Sequence, residues 1–156
     1  MKYAILVVLL SIILGLSVKT SGEGSLNKQA WAENYFSMWV KTQQSTASED
    51  DIERYLALLV DDVGHQHLPY DPDATRSEDG KKNLTKGMMY YLGTHTEYAA
   101  TLNNITLGFN VVVIKYRTVS VGVHPQTGEL IEQHYDTIEV LELEGDKVAV
   151  IRKYSE

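Results

Sequence analysis

Between Tyr98 and Ser155 apolar and polar side chains alternate, and the alternation breaks at Gly108-Phe109-Asn110, at Pro125-Gln126-Thr127-Gly128 and at Gly145-Asp146. A period of two marks strands with two distinct faces, and short breaks rich in Gly, Asn or Asp mark hairpin turns. The segment therefore reads as antiparallel strands joined in a meander. Its register can be tested against chemistry. If Glu144 faces Lys147, then Leu143 faces Val148, Leu141 faces Val150 and Glu139 faces Arg152. If His124 faces Glu129, then Val123 meets Leu130, Val119 meets His134 and Arg117 meets Asp136. Like meets like and charge meets opposite charge, which a slip of one residue would undo.

Both faces of this sheet carry apolar rows. One has Val113, Val119, Val121, Leu130, Ile138, Val140 and Ile151; the other has Val112, Ile114, Tyr116, Tyr135, Leu141, Leu143, Val148 and Val150. Helices can cover one face, and an apolar second face marks an association surface, so a homodimer formed sheet to sheet is expected.

The helices come first in the chain. Trp31, Tyr35, Met38 and Thr42, flanked by Ala32, Phe36 and Trp39, predict a helix over 28–43 with a wide apolar side. Ser48 with Asp51 three residues on predicts an N-terminal cap, followed by Ile52, Tyr55, Leu56 and Leu59 at helical spacing. A third helix is expected over 79–93, with Leu84, Met88, Tyr91 and Leu92 buried and Gly93 as its C-terminal cap. Val63 to Leu68 reads as a short strand stopped by Pro69. The expected fold is α+β, with three N-terminal helices packed on a curved, mostly antiparallel sheet.

Lys2 precedes an apolar run from Ala4 to Val18, followed by small residues, which reads as a signal peptide over 1–22, cut after Ser17 or Gly22, with an uncleaved N-terminal anchor as the rival, and places the domain at 23–156. The run is shorter than a bilayer-spanning helix. Secretion or export to a periplasm is expected, with no membrane contact after cleavage. The chain has no cysteine, which excludes a disulfide framework, a thiolate metal site and a cysteine nucleophile. Its net charge is -7, and loss of Lys2 and Lys19 takes it to about -9, which argues against nucleic acid as a partner. Asn83-Leu84-Thr85 and Asn104-Ile105-Thr106 are glycosylation sequons.

The order helix, helix, short strand, helix, then antiparallel strands resembles the nuclear transport factor 2-like superfamily, and more narrowly its SnoaL-like domains. The residues that carry the resemblance are Asp61-Asp62-Val63 at the short strand, Gly80 opening the third helix, and Glu144-Gly145-Asp146-Lys147-Val148 before the last strand. In the last of these the glycine and aspartate are exchanged relative to the family's Asp-Gly-Lys-Ile. The resemblance implies helices and a curved sheet enclosing a conical pocket for a small, largely apolar molecule. It also implies a choice between isomerase-, dehydratase- or cyclase-type chemistry and non-catalytic binding.

Asp136 is the expected base, because SnoaL-like cyclases carry an acid/base aspartate on the penultimate strand. His134, two residues away on the same face, is its expected partner. Arg117 opposite Asp136 is either a substrate contact or its structural ion-pair partner. His65 and His67 share a face of the short strand. Ketosteroid isomerases place an aspartate immediately before a proline there; this chain has Leu68 before Pro69, so His67 is the polar group that takes that wall. Two histidines so spaced could hold a metal, but no third ligand follows, and no metal is expected. Asp71 to Ser77 alternates like a calcium loop but has Arg76 and Lys82 where glycine and glutamate are needed, so it reads as a polar rim. Tyr35, Met88 and Tyr91 complete the expected substrate-binding walls, and proton transfer among such groups requires no cofactor. The competing expectation is a non-catalytic dimeric binding or protein-interaction module.

Overall fold

A computed structural model describes residues 27–156. The expected signal peptide lies outside the described residues. Helix α1 spans Lys28–Thr42, α2 Glu49–Leu56 and α3 Gly80–Tyr91. Strands follow as β1 Leu59–Leu68, β2 His95–Leu107, β3 Val111–Val123, β4 Leu130–Glu144 and β5 Lys147–Ser155. They form one sheet in the order β1-β5-β4-β3-β2, antiparallel except where β1 runs parallel to β5. The expected α+β architecture of three helices on a curved sheet is what the chain adopts.

The helix starts are set by local chemistry. Asn27 accepts a hydrogen bond from the Ala30 N–H at 3.2 Å and caps α1. The Asp51 carboxylate accepts from the Ser48 N–H at 3.0 Å and the Ser48 hydroxyl at 2.8 Å, and it pairs with Lys41 at 2.9 Å. These contacts, with Lys41 foremost, hold its pKa down to about 2. Helix α1 buries Trp31, Ala32, Tyr35, Phe36 and Trp39 against Tyr116, Ile114 and Leu141 of the sheet. The Trp31 indole donates to the Asp146 carbonyl at 3.0 Å, which ties α1 to the β4–β5 turn.

The β3–β4 hairpin has the expected register, with Val123 opposite Leu130, Val119 opposite His134 and Arg117 opposite Asp136. The β4–β5 hairpin agrees for its first two pairs, Glu144 with Lys147 and Leu143 with Val148. Beyond them a bulge leaves Ala149 without a partner, and the register moves to Leu141 with Ile151 and Glu139 with Lys153. The expected Glu139–Arg152 pair is therefore corrected. Arg152 points outward to Glu142 at 2.6 Å, while Lys153 and Ile151 point inward. Val148-Ala149-Val150-Ile151 is apolar throughout, so alternation there could not reveal the extra residue.

Helix α2 ends at Leu56, so Leu59, expected at helical spacing with it, instead starts β1, which takes in Asp61 and Asp62. Asp61 pairs with Lys81 at 2.7 Å and Asp62 with Arg76 at 2.7 Å. Helix α3 differs more. None of its residues is fully buried, and Leu84, Met88 and Leu92 are half-buried while Tyr91 is exposed. Its apolar stripe lines a cavity and packs against the edge of the core. The close fit of α3 to β1 requires Gly80, where a Cβ would stand 2.2 Å from the Val63 carbonyl oxygen. Gly93 ends the helix region with φ +73°, the left-handed conformation expected of it. Among the described residues no helix is long and apolar enough to cross a membrane.

Candidate functional site

The aromatic core of α1 fills one part of the concave side of the sheet. Between α3, β1 and the remaining part lies a cavity of about 900 Å³. Helix α3 contributes Leu84, Gly87, Met88 and Tyr91, at spacings that keep them on one helical face. The 71–77 segment contributes Asp71, Asp73, Thr75 and Ser77, and β3 and β4 contribute Ser120, Gly122, Ile131 and Gln133. His95 and His124 also line it. The acidic side chains of the loop are engaged locally. Asp71 accepts from the Asp73 N–H at 3.2 Å and Asp73 from the Thr75 N–H at 2.8 Å, as in Asx turns.

Three nitrogen bases meet on the β1–β5 wall. His65 and His67 project from β1, and Lys153 is opposite His67 in the parallel register, so all three reach the cavity from one face. The two imidazole rings are 6.2 Å apart, nearly edge to face. Burial, then the Lys153 charge, pushes both imidazoles down to about 4, so both are neutral at neutral pH. Lys153 is 7% exposed, and its Nζ lies 4.2 Å from the centroid of the Trp39 ring. Burial lowers its pKa, with the Glu139 charge opposing.

Glu139 stands behind Lys153 and is fully buried. It accepts hydrogen bonds from the Tyr35 hydroxyl at 2.7 Å and the Tyr116 hydroxyl at 2.9 Å, and its Oε1 is 3.8 Å from Lys153 Nζ. Tyr35 also shares a 2.9 Å hydrogen bond with Tyr55. Burial and the Glu139 charge raise the pKa of Tyr35 and Tyr116 well above the ordinary phenol value. The result is a buried carboxylate held by two phenols and facing one amine.

Of the expected site residues, the structure brings together His65, His67, Met88 and Tyr91. Tyr35 is in the core, stacked on Trp31 and bonded to Glu139, and it does not reach the cavity. Asp136, His134 and Arg117 lie on the opposite, convex face. On β4 the odd-numbered residues from Ile131 to Leu143 turn toward the helices, so His134 and Asp136 turn away. Arg117 donates to both Asp136 oxygens, at 3.0 and 2.7 Å, and both side chains are exposed. That contact holds the Asp136 pKa below its ordinary value. His134 is exposed and 3.0 Å from Glu132. The acid/base pair expected on this strand is thus corrected to a surface ion pair, leaving the cavity chemistry to β1 and β5. Lys153, Glu139 and Trp39 were not anticipated as a site. The signal for them was a charged residue at an inward position on each of two adjacent strands, hidden by the bulge. Among the described residues no group of three or more His, Asp or Glu side chains is placed to hold a metal ion.

No protein-family model and no curated protein matches the chain. Solved structures do. An NTF2-like protein from Anabaena variabilis superposes with a TM-score of 0.65 at 18% identity, covering 85% of this chain and 92% of that one. A protein from Shewanella putrefaciens assigned as a SnoaL-like polyketide cyclase gives 0.62 at 16% identity, over 82% and 88%. An LEH-like epoxide hydrolase from M. tuberculosis gives 0.57 at 14%, over 81% and 84%. At such identities the likeness is one of fold, and that fold is the nuclear transport factor 2-like cone.

Proposed function

We propose that this chain binds a small, largely apolar molecule in the cone, with the molecule's polar end against His65, His67 and Lys153. The observation that carries the reading is the composition of the cavity wall. It is about 900 Å³ of space with Leu84, Met88, Ile131 and Trp39 among its sides, polar groups such as Asp73, Ser120 and Gln133 between them, and three nitrogen bases, Lys153 buried and both histidines half-buried, gathered on one strand pair. Sites of this size that combine apolar walls with convergent polar groups orient small ligands. Neutral imidazoles beside an amine can pass a proton between carbon and oxygen without a cofactor, so acid/base turnover of isomerase, dehydratase or cyclase type is the chemistry this wall supports. The solved relatives named as a cyclase and an epoxide hydrolase share the fold, which agrees with a small-molecule role.

Gly87 provides the test. It lines the cavity, and nothing lies within 4 Å of a Cβ built on it. Gly87→Phe should fold as well as the parent, since a mid-helix glycine costs about 1 kcal/mol relative to better helix formers. It should also fill the cavity and weaken binding of an apolar probe such as cinnamyl alcohol by tenfold or more in calorimetric titration. Unchanged binding in the folded variant would move the ligand out of the cone.

The apolar first residues favour export of the mature domain, and N-terminal sequencing of the extracellular product would test it. The convex face carries Val119, Ile138 and Tyr154, each between 37% and 41% exposed, and this favours pairing of two copies through the sheet.

A further inference from the structure

We infer that Lys153 is a nucleophile that captures an aldehyde or ketone as an imine inside the cone. This rests on the small-molecule reading above and specifies the ligand's reactive group.

The geometry separates a carbonyl from the obvious rival, an anion. Lys153 is nine-tenths buried, and the Glu139 oxygen at 3.8 Å is a charge contact beyond hydrogen-bond reach. The amine is thus available to a group in the cavity. An anionic ligand there would sit beside the Glu139 carboxylate, with Asp71 and Asp73 on another wall of the same cavity. His65 and His67 are neutral and supply no balancing charge. A neutral carbonyl meets no such repulsion. Burial takes the amine out of water and disfavours its charged form, which is how a lysine becomes nucleophilic near neutral pH.

The step balances without an oxidant or reductant. The free-base Lys153 lone pair attacks the carbonyl carbon, and the C=O π pair moves to oxygen. The nitrogen gives up two protons, which the carbinolamine oxygen receives by way of the neutral His67 imidazole. Water leaves and the C=N bond forms.

The experiment is reductive trapping of the full chain with cinnamaldehyde and sodium cyanoborohydride at pH 7, followed by peptide mapping, with cinnamyl alcohol as the non-reacting probe. An unperturbed lysine, with a pKa near 10.4, is free base at only about one part in 2,500 at that pH. The inference expects one adduct per chain, on the peptide that holds Lys153, at least tenfold ahead of any exposed lysine and suppressed by excess cinnamyl alcohol. Lys153→Arg removes the primary amine and should lose the adduct. If the alcohol binds but Lys153 stays unlabelled, the imine is overturned and the pocket stands. If neither the alcohol nor the aldehyde engages the cone and only exposed lysines react, both readings fall. Because the mapping uses the parent protein, a poorly folding variant leaves the result decisive.

Discussion

The contact between Glu139 and Lys153 makes a quantitative prediction. At 3.8 Å and an effective dielectric of about 20, two unit charges attract by about 4 kcal/mol. That is a ceiling, because the buried ammonium can lower its cost by releasing its proton. Breaking a buried pair on one side typically costs about 3–5 kcal/mol; without a direct hydrogen bond here, Glu139→Gln and Lys153→Met should each cost roughly 2–3 kcal/mol. Glutamine keeps the shape and can still engage the Tyr35 and Tyr116 hydroxyls, so its effect isolates the charge. The double variant should be more stable than the sum of the singles predicts, by roughly 1–3 kcal/mol. Urea unfolding with an unchanged slope measures all three. The pH dependence supplies a second readout. A lysine whose folded pKa lies below its unfolded value of about 10.4 binds fewer protons folded than unfolded between the two, so stability rises with pH across that window. Glu139 opposes the drop, so Glu139→Gln should widen the window and carry the rise to lower pH than in the parent, read below the titration of unfolded tyrosines near 10. Costs that add within about 0.5 kcal/mol would refute the coupling. Identical pH slopes in parent and variant would show that Lys153 does not feel Glu139.

His65 and His67 have folded pKa values of about 4 against an unfolded value near 6.5, so the unfolded chain binds more protons in between and stability should fall as pH drops from 6.5 toward 4. The double change His65→Gln, His67→Gln should flatten that fall in urea titrations at pH 6.5 and 5; an unaltered profile would place the loss elsewhere. Asp136→Asn and Arg117→Gln remove an exposed pair on the convex face, so both should leave cinnamyl alcohol affinity unchanged and shift the melting temperature by only a few degrees at most. A large loss of binding in Asp136→Asn would return the base to β4. Light scattering at micromolar concentration should report twice the mass of one chain, and Ile138→Lys should bring it to the monomer value.

Much of the architecture was legible locally. The Ser48–Asp51 cap, the wide apolar side of α1, the left-handed Gly93 and the Arg117–Asp136 register depend on residues near in sequence or on strict alternation between turns, and each was read from the chain. The site was legible only in part. His65, His67, Met88 and Tyr91 could be named because alternation along β1 and helical spacing along α3 put them on the faces that line the cavity. Periodicity told which β4 residues share a face, but not which face the helices would cover. Both faces are apolar enough to be buried, and that choice turned Asp136 and His134 away from the cavity. The bulge at Ala149 lay in an apolar run, where a shift of one residue leaves no trace in the pattern. Only the assembled sheet decided that Lys153, not Arg152, would stand opposite Glu139. A buried amine needs a partner from another strand and an aromatic wall from α1, and such a group exists only once distant segments have closed around it.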